Sequence, residues 1–140
     1  MEIEFADDEV VPIREMVDLY EAVGWLLYAS DPDRLAMAID RSTHVVTARL
    51  DGELIGLARC LSDDVAVLYI QEVLVHPGHH RRGIGTTLVT RCVDRFSHVP
   101  QKVLLTDRDA GDQAFSRSLG FVPADDANFV AFVRQLPELS

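Results

Sequence analysis

The 140-residue sequence predicts a mixed α/β domain with elements in the order β-α-α-β-β-β-α-β-α-β-β. Three observations predict it. Runs of β-branched and apolar residues at His44–Leu50, Leu54–Leu61 and Val65–Val75 are separated by turn chemistry, which marks consecutive strands. Apolar residues recur at helical spacing before them (Ile13, Met16, Val17, Tyr20, Val23) and after them (Ile84, Leu88, Cys92, Phe96). The length fits one domain, residues 1–140, large enough to bury a core without disulfides or metals.

Each element has its own reason. Met1–Phe5 is short and alternating, as an edge strand is. Pro12 to Val23 carries the first apolar helical face. Ser30-Asp31-Pro32 starts a second helix, since an oxygen-bearing cap followed by proline suits a first turn, and that helix runs to Arg41. Asp51-Gly52 is a hairpin turn between two strands. Ser62-Asp63-Asp64 turns the chain again. The pair of aspartates could attract a cation, but a solvated turn accounts for it more simply. His76-Pro77-Gly78 ends the third run. From Gly83 to Ser97 the period changes to that of a helix with one apolar face. Lys102–Thr106 reads as a buried strand. Asp112–Leu119 is a short helix with Gly120 as its stop, and Phe121-Val122 and Asn128–Leu136 complete the sheet.

Composition narrows the function. Hydrophobic residues make up 48% and charged residues 26%, as in soluble globular proteins. Net charge is −10, which argues against nucleic acid as a partner and fits a cationic substrate. The acidic start MEIEFADDEVV lacks the features of a signal peptide, and no apolar run approaches the roughly 20 residues of a membrane helix, so a cytoplasmic protein with no membrane partner is expected. Cys60 and Cys92 sit in apolar stretches and read as buried thiols, and no metal site is evident. The acid is unevenly spread. Between Val73 and Val93 there is no Asp or Glu, while Arg81, Arg82, Arg91, His76, His79 and His80 all lie there.

That segment is a strand, a turn, a glycine loop and a helix. The first N–H groups of a helix lack internal partners, and the helix dipole makes that end partly positive. Gly83 and Gly85 let the backbone approach a ligand closely, Thr86 and Thr87 offer hydroxyls, and Arg81 and Arg82 add charge, which together make a phosphate cradle. Leu88 stands where a dinucleotide fingerprint needs a third small residue, and the Gly-Lys-Ser/Thr of a P-loop is absent.

His80-Arg81-Arg82-Gly83-Ile84-Gly85 resembles motif A of the GNAT N-acetyltransferase superfamily, Gln/Arg-x-x-Gly-x-Gly/Ala. Val73–Pro77 has the form that precedes the motif there, and Phe115 to Phe121, whose closing Gly-Phe ends 36 residues beyond Gly85, resembles the family's Phe-Tyr-x-x-x-Gly-Phe signature. The resemblance runs from Val45 to the end. It implies a GNAT-like single domain with a mixed, mostly antiparallel sheet of six or seven strands flanked by about four helices. It implies acetyl-CoA as co-substrate and no metal. Main-chain groups of Val73, Leu74 and Val75 would pair with the pantetheine arm, and N–H groups from Arg81 through Arg82, Gly83, Ile84 and Gly85 to Thr86 would hold the pyrophosphate. Asp109 stands where the family often has an Asn that contacts the cofactor, and Phe115 would lie along the cofactor arm. Two departures stand out: His80 replaces Gln or Arg, and Ser116 replaces the Tyr often taken as general acid for the thiolate.

The implied reaction is direct attack of an amine on the thioester, with backbone N–H from Val73–Val75 at the oxyanion. Glu72 is the first candidate for the base, since a carboxylate in so apolar a run would be desolvated and its pKa raised. Tyr69 is the second, and Ser116 could serve as the acid. Trp25 and Tyr28, near a break at Gly24, are candidates for the acceptor pocket, and Tyr20 reads as core. The expected activity is transfer of an acetyl group to a primary amine of a small molecule. The alternatives are a catalytically weak acyl-CoA-binding sensor and a protein lysine or N-terminal acetyltransferase. Family analogy also suggests a homodimer.

Overall fold

The computed structural model describes residues 2–106 and 110–135. The chain divides into two units, residues 1–105 and 106–140. The first holds β1 (Ile3–Asp7), α1 (Ile13–Val23), α2 (Leu26–Ala29), α3 (Pro32–Asp40), β2 (His44–Leu50), β3 (Glu53–Ser62), β4 (Val67–Val75), a 3-10 turn (Pro77–His79), α4 (Ile84–Arg95) and β5 (Gln101–Leu104). The second holds α5 (Ala110–Ser118) and a 3-10 turn (Ala124–Ala127). The sheet runs β1-β2-β3-β4-β5, antiparallel as far as β4 and parallel between β4 and β5.

One expectation needs correction. The sheet has five strands among the described residues, not six or seven, because neither Phe121-Val122 nor the described part of Asn128–Leu136 forms one. Leu136 itself lies outside the described residues. A strand exists by pairing, and the described part of the second unit holds a helix and a 3-10 turn but no partner strand. Asn128 turns the chain with φ 64°, and Phe129, Val130, Phe132 and Val133 stay exposed. The described residues hold five α-helices, in keeping with about four, the additional short one arising because the N-terminal helical region stops at Gly24, which caps α1 at φ 95°, and restarts at Leu26. Where proline follows Asp31 the expected start is found: the Asp31 carboxylate accepts the Arg34 N–H at 3.3 Å and Pro32 opens α3.

The two sheet faces are covered differently. The helix α4 lays Ile84, Leu88, Cys92 and Phe96 on one face. A Cβ on Gly56 of β3 would come within 3.1 Å of Ile84 and 3.2 Å of Leu88, so this strand position lets α4 approach closely. Cys60 and Cys92 meet there, both free and fully buried, and each other's presence together with burial pushes the Cys60 thiol far above its ordinary pKa. On the opposite face α1–α3 build a core of Met16, Leu19, Tyr20, Leu35 and Ile39 against Val45, Leu57 and Leu74.

An irregularity in β4 decides what that second core receives. Arg59 lies opposite Glu72 and Cys60 opposite Ile70, so Gln71 has no opposite number. Strict alternation would put residues 69 and 72 on opposite faces. The extra residue of the bulge restores Tyr69 to the face of Glu72 and Leu74. The start of β4 is also fixed locally. One carboxylate oxygen of Asp63 accepts the N–H groups of Val65, Ala66 and Val67 at 3.0, 2.8 and 3.1 Å, so the strand begins two residues later than expected.

Candidate active site

β5 pairs with β4 only between Val67 and Ile70. From Gln71 to Val75, β4 therefore pairs with no strand on that side among the described residues. The strand leads directly into the glycine loop. His76 accepts the Gly78 N–H on its Nδ1 at 3.0 Å, the role of a turn residue. The His80 Nε2–H donates to the Val75 carbonyl at 2.9 Å, so the residue that departs from the motif ties the loop to the strand end through its own side chain. The Arg82 guanidinium lies 3.4 Å from His79 Nδ1.

Beyond His80 the backbone takes two unusual turns. Arg81 has φ 66° and Gly83, the N-cap of α4, has φ 75°. The second is a conformation that glycine adopts without penalty, and nothing lies within 4 Å of where a Cβ would sit. No side chain caps α4 and no acid occupies its first turn. Thr87 bonds back to Gly83 through both its N–H and its hydroxyl, at 3.1 Å each, which leaves the earlier N–H groups, including those of Ile84, Gly85 and Thr86, without such a bond. Successive N–H groups in such a left-handed turn form a concavity suited to an anion, and the helix dipole reinforces it. Those features fit a pyrophosphate. Arg91, counted with the acid-free segment, belongs elsewhere: it pairs with Asp7 at 3.1 Å and lies over Phe5.

The middle of β4 is built on the opposite principle. Glu72 is buried, with its side chain 1% exposed. Its Oε1 accepts from the Tyr20 hydroxyl at 2.5 Å and from Arg59 Nε at 2.9 Å; its Oε2 is buried with no hydrogen bond of good geometry, and the Tyr28 hydroxyl approaches the same carboxylate. Arg59 is itself nearly buried and its Nη1 reaches Ser42 Oγ at 3.4 Å. Burial, with the Glu72 charge second, holds the Tyr20 hydroxyl protonated far beyond the ordinary tyrosine range. Tyr28 and Tyr69 are half-buried, and their pKa values are raised by burial first and also by the Glu72 charge, which the Arg59 charge opposes. Tyr20, Trp25 and Tyr28 form a triangle of rings with centroids 5.8–6.0 Å apart.

The structure thus brings together Glu72, Tyr69, Trp25 and Tyr28 in one region of the first unit, and the loop residues His80–Thr86 at the end of the same strand. Phe115, half-buried, and Ser116, buried, lie on α5 of the second unit, where the Ser116 hydroxyl donates to the Asp112 carbonyl at 3.0 Å. Asp109 lies outside the described residues. Sequence reasoning missed Arg59 and the polar role of Tyr20. A signal existed for the first: one arginine in the otherwise apolar run Leu54–Leu61 calls for a buried partner. Among the described residues no group of His, Cys, Asp and Glu could hold a metal, and no helix is long and apolar enough to cross a membrane.

A mixed sheet, a β4 edge left unpaired beyond Ile70 and a glycine loop feeding a helix make an anion-binding type of α/β fold, and comparison with known proteins identifies it. The model of the acetyltransferase (GNAT) family matches residues 10–121, and the chain belongs to that family. An uncharacterized N-acetyltransferase, ycf52, from Gracilaria tenuistipitata var. liui is 28% identical over 122 residues, which cover 83% of this chain; the chain spans 65% of that relative's length. A GNAT family acetyltransferase of Streptococcus pneumoniae TIGR4 superposes with a TM-score of 0.84 at 24% identity, over 97% of this chain and 99% of the other. The aminoglycoside N-acetyltransferase AAC(6')-Iy, in complex with CoA, superposes with a TM-score of 0.76 at 15% identity, over 96% and 95% of the two chains. At these identities the structural likeness is one of fold.

Proposed function

We propose that the protein transfers the acetyl group of acetyl-CoA to a primary amine of a small molecule by direct attack. One observation carries this: an uncapped, acid-free helix start with two left-handed residues leading into it, placed at the end of a strand whose edge is open from Gln71 to Val75. The loop would hold the pyrophosphate by main-chain N–H groups from Arg81 to Thr86, and the open edge at Val73, Leu74 and Val75 would take the pantetheine arm as an added strand. The family match crosses both units, which supports treating residues 1–140 as a single acetyltransferase domain.

In the reaction an N–C bond forms, the C–S bond breaks, the amine nitrogen loses a proton and the thiolate gains one. The residues of this chain supply three things. Main-chain N–H groups of Val73 and Val75, which alternation turns away from β3, lie on the open edge where an oxyanion would develop. The Oε2 of Glu72 is the oxygen that can hold the ammonium and receive its proton, since Oε1 already accepts two bonds. Tyr69 shares that face. The leaving thiolate, with a pKa of ~8.5 by analogy with a cysteine thiol, needs little assistance near neutrality. That matters because the Ser116 hydroxyl is bonded within its own helix. This last bond also favours the second reading, an acyl-CoA-binding domain with weak turnover.

The two are separated by titrating the protein with CoA while following its melting temperature, then mixing it with acetyl-CoA and an amine panel and following free thiol. The proposal expects both a melting shift and thiol release. A shift without release from any amine supports the sensor, and no shift at millimolar CoA overturns both.

A further inference from the structure

The charge balance around Glu72 selects among amines, an inference that rests on the acetyl-transfer reading above. The Glu72 side chain is 1% exposed and its Oε2 is buried with no hydrogen bond of good geometry, an arrangement that is costly unless a donor arrives. Arg59 stands 2.9 Å from the other oxygen, so the pair has no net charge. A single ammonium can dock at Oε2. A second positive centre close to the first would meet the Arg59 guanidinium. Several acids of the first unit are engaged elsewhere: Glu9 and Glu15 with Arg49, Asp7 and Asp8 with His44, and Asp64 with His98.

The surrounding wall is aromatic. Trp25 and Tyr28 stack at 5.9 Å, each touches Tyr20, and Tyr69 joins the same sheet face through the bulge at Gln71. Tyr28 and Tyr69 are half-buried while Glu72 is closed off from solvent, so an acceptor would have to displace side chains to reach Oε2. Such faces suit a flat or alkyl body and the methylene next to an ammonium.

We propose that the acceptor is a small monoammonium compound, one primary alkylamine on an aromatic or alkyl body, whose nitrogen docks at Glu72 Oε2 beside Trp25, Tyr28 and Tyr69, with Arg59 acting as the filter against polycations.

The test measures kcat/KM by thiol release with acetyl-CoA for 2-phenylethylamine, n-hexylamine, spermidine and kanamycin, with 2-phenylethanol as an uncharged competitor of the first. The expected result is that the two monoamines exceed spermidine and kanamycin by at least about tenfold, the size that like-charge juxtaposition supports, and that the alcohol competes poorly. Arg59→Met should narrow or reverse that ratio, because it leaves a net negative site, whereas a merely structural loss would lower all four amines together. Equal or better turnover of a polycation by the wild-type protein overturns the assignment, whether or not the variant folds. So does CoA binding with no turnover of either monoamine. The CoA melting shift, measured on the same samples, reports separately on the acetyl-transfer reading: its absence sinks that reading, and its presence with polycation turnover sinks this inference alone.

Discussion

The two ends of the open stretch of β4 are built for binding in opposite ways under the proposed function. At its C-terminal end the chain offers main-chain N–H groups in an exposed loop, with geometry set by a left-handed Arg81 and Gly83 and held by the His80 bond to Val75. Near the bulge it offers one side chain, Glu72, buried and held by Tyr20 and Arg59. The first design depends on residues next to each other in sequence. The second depends on partners 52 and 13 residues away. The first should therefore tolerate changes of side chain that keep the backbone geometry, which His80 here supports through its bond to Val75. The second tolerates few, because each partner removed leaves a buried polar atom unpaired.

The largest expected effect breaks the loop half of this comparison. Gly85→Glu puts bulk and negative charge in the first turn of α4, beside the N–H groups proposed to hold the pyrophosphate. CoA binding should weaken by about two orders of magnitude, or roughly 3 kcal/mol, in a calorimetric titration. The fold should be retained, since a glutamate near a helix N-terminus is locally favourable. Unchanged CoA affinity in a folded variant would remove the anion site from this loop.

The same contrast explains what the sequence disclosed. The loop was legible because its determinants are local: glycines at 83 and 85, a stop at His76-Pro77-Gly78, and a run without acid. The strands β2 to β4 were legible because alternation and hairpin turns are local too. The buried cluster was only half legible. Glu72 stood out as an acid in an apolar strand, but nothing at that position names Arg59 or Tyr20. The residue that aligns Tyr69 with it is an unpaired Gln71 that no pattern marks. The C-terminal strands failed for a related reason. The run Asn128–Val133 has the composition of a strand, but composition does not supply a partner, and its apolar side chains are exposed.

Tyr20→Phe sharpens the buried half of the comparison. It keeps the ring, and so most of the aromatic packing, but removes one of the two donors to Glu72 Oε1. Tyr20 is fully buried, so water does not readily replace the bond. Stability should fall by about 1–3 kcal/mol, read as a lower urea midpoint at unchanged slope. Tyr28→Phe, at a half-exposed ring, should change the midpoint far less. Equal effects from the two substitutions would mean that the buried hydroxyl is no more important to Glu72 than a surface one.

The smallest effect tests whether backbone N–H groups and an anion attract each other in this chain as the loop requires. Asp63 provides an internal case of the same chemistry, with one carboxylate oxygen collecting three N–H groups at the start of β4. Those bonds hold the Asp63 carboxyl below its ordinary pKa. The folded value lies below the unfolded one, near 3.9, so the stabilisation is fully present above the unfolded value and is lost as pH falls through the folded one. Asp63→Ala should therefore melt slightly below the wild type at neutral pH, with the gap narrowing once the pH drops below about 4. Asp63 is fully exposed, so the gap should be the least of the three. A gap that is the same at pH 7 and in strong acid would show that the carboxylate's charge contributes nothing to this turn. It would also weaken the case that charge, rather than shape, is what the N–H groups ahead of α4 select.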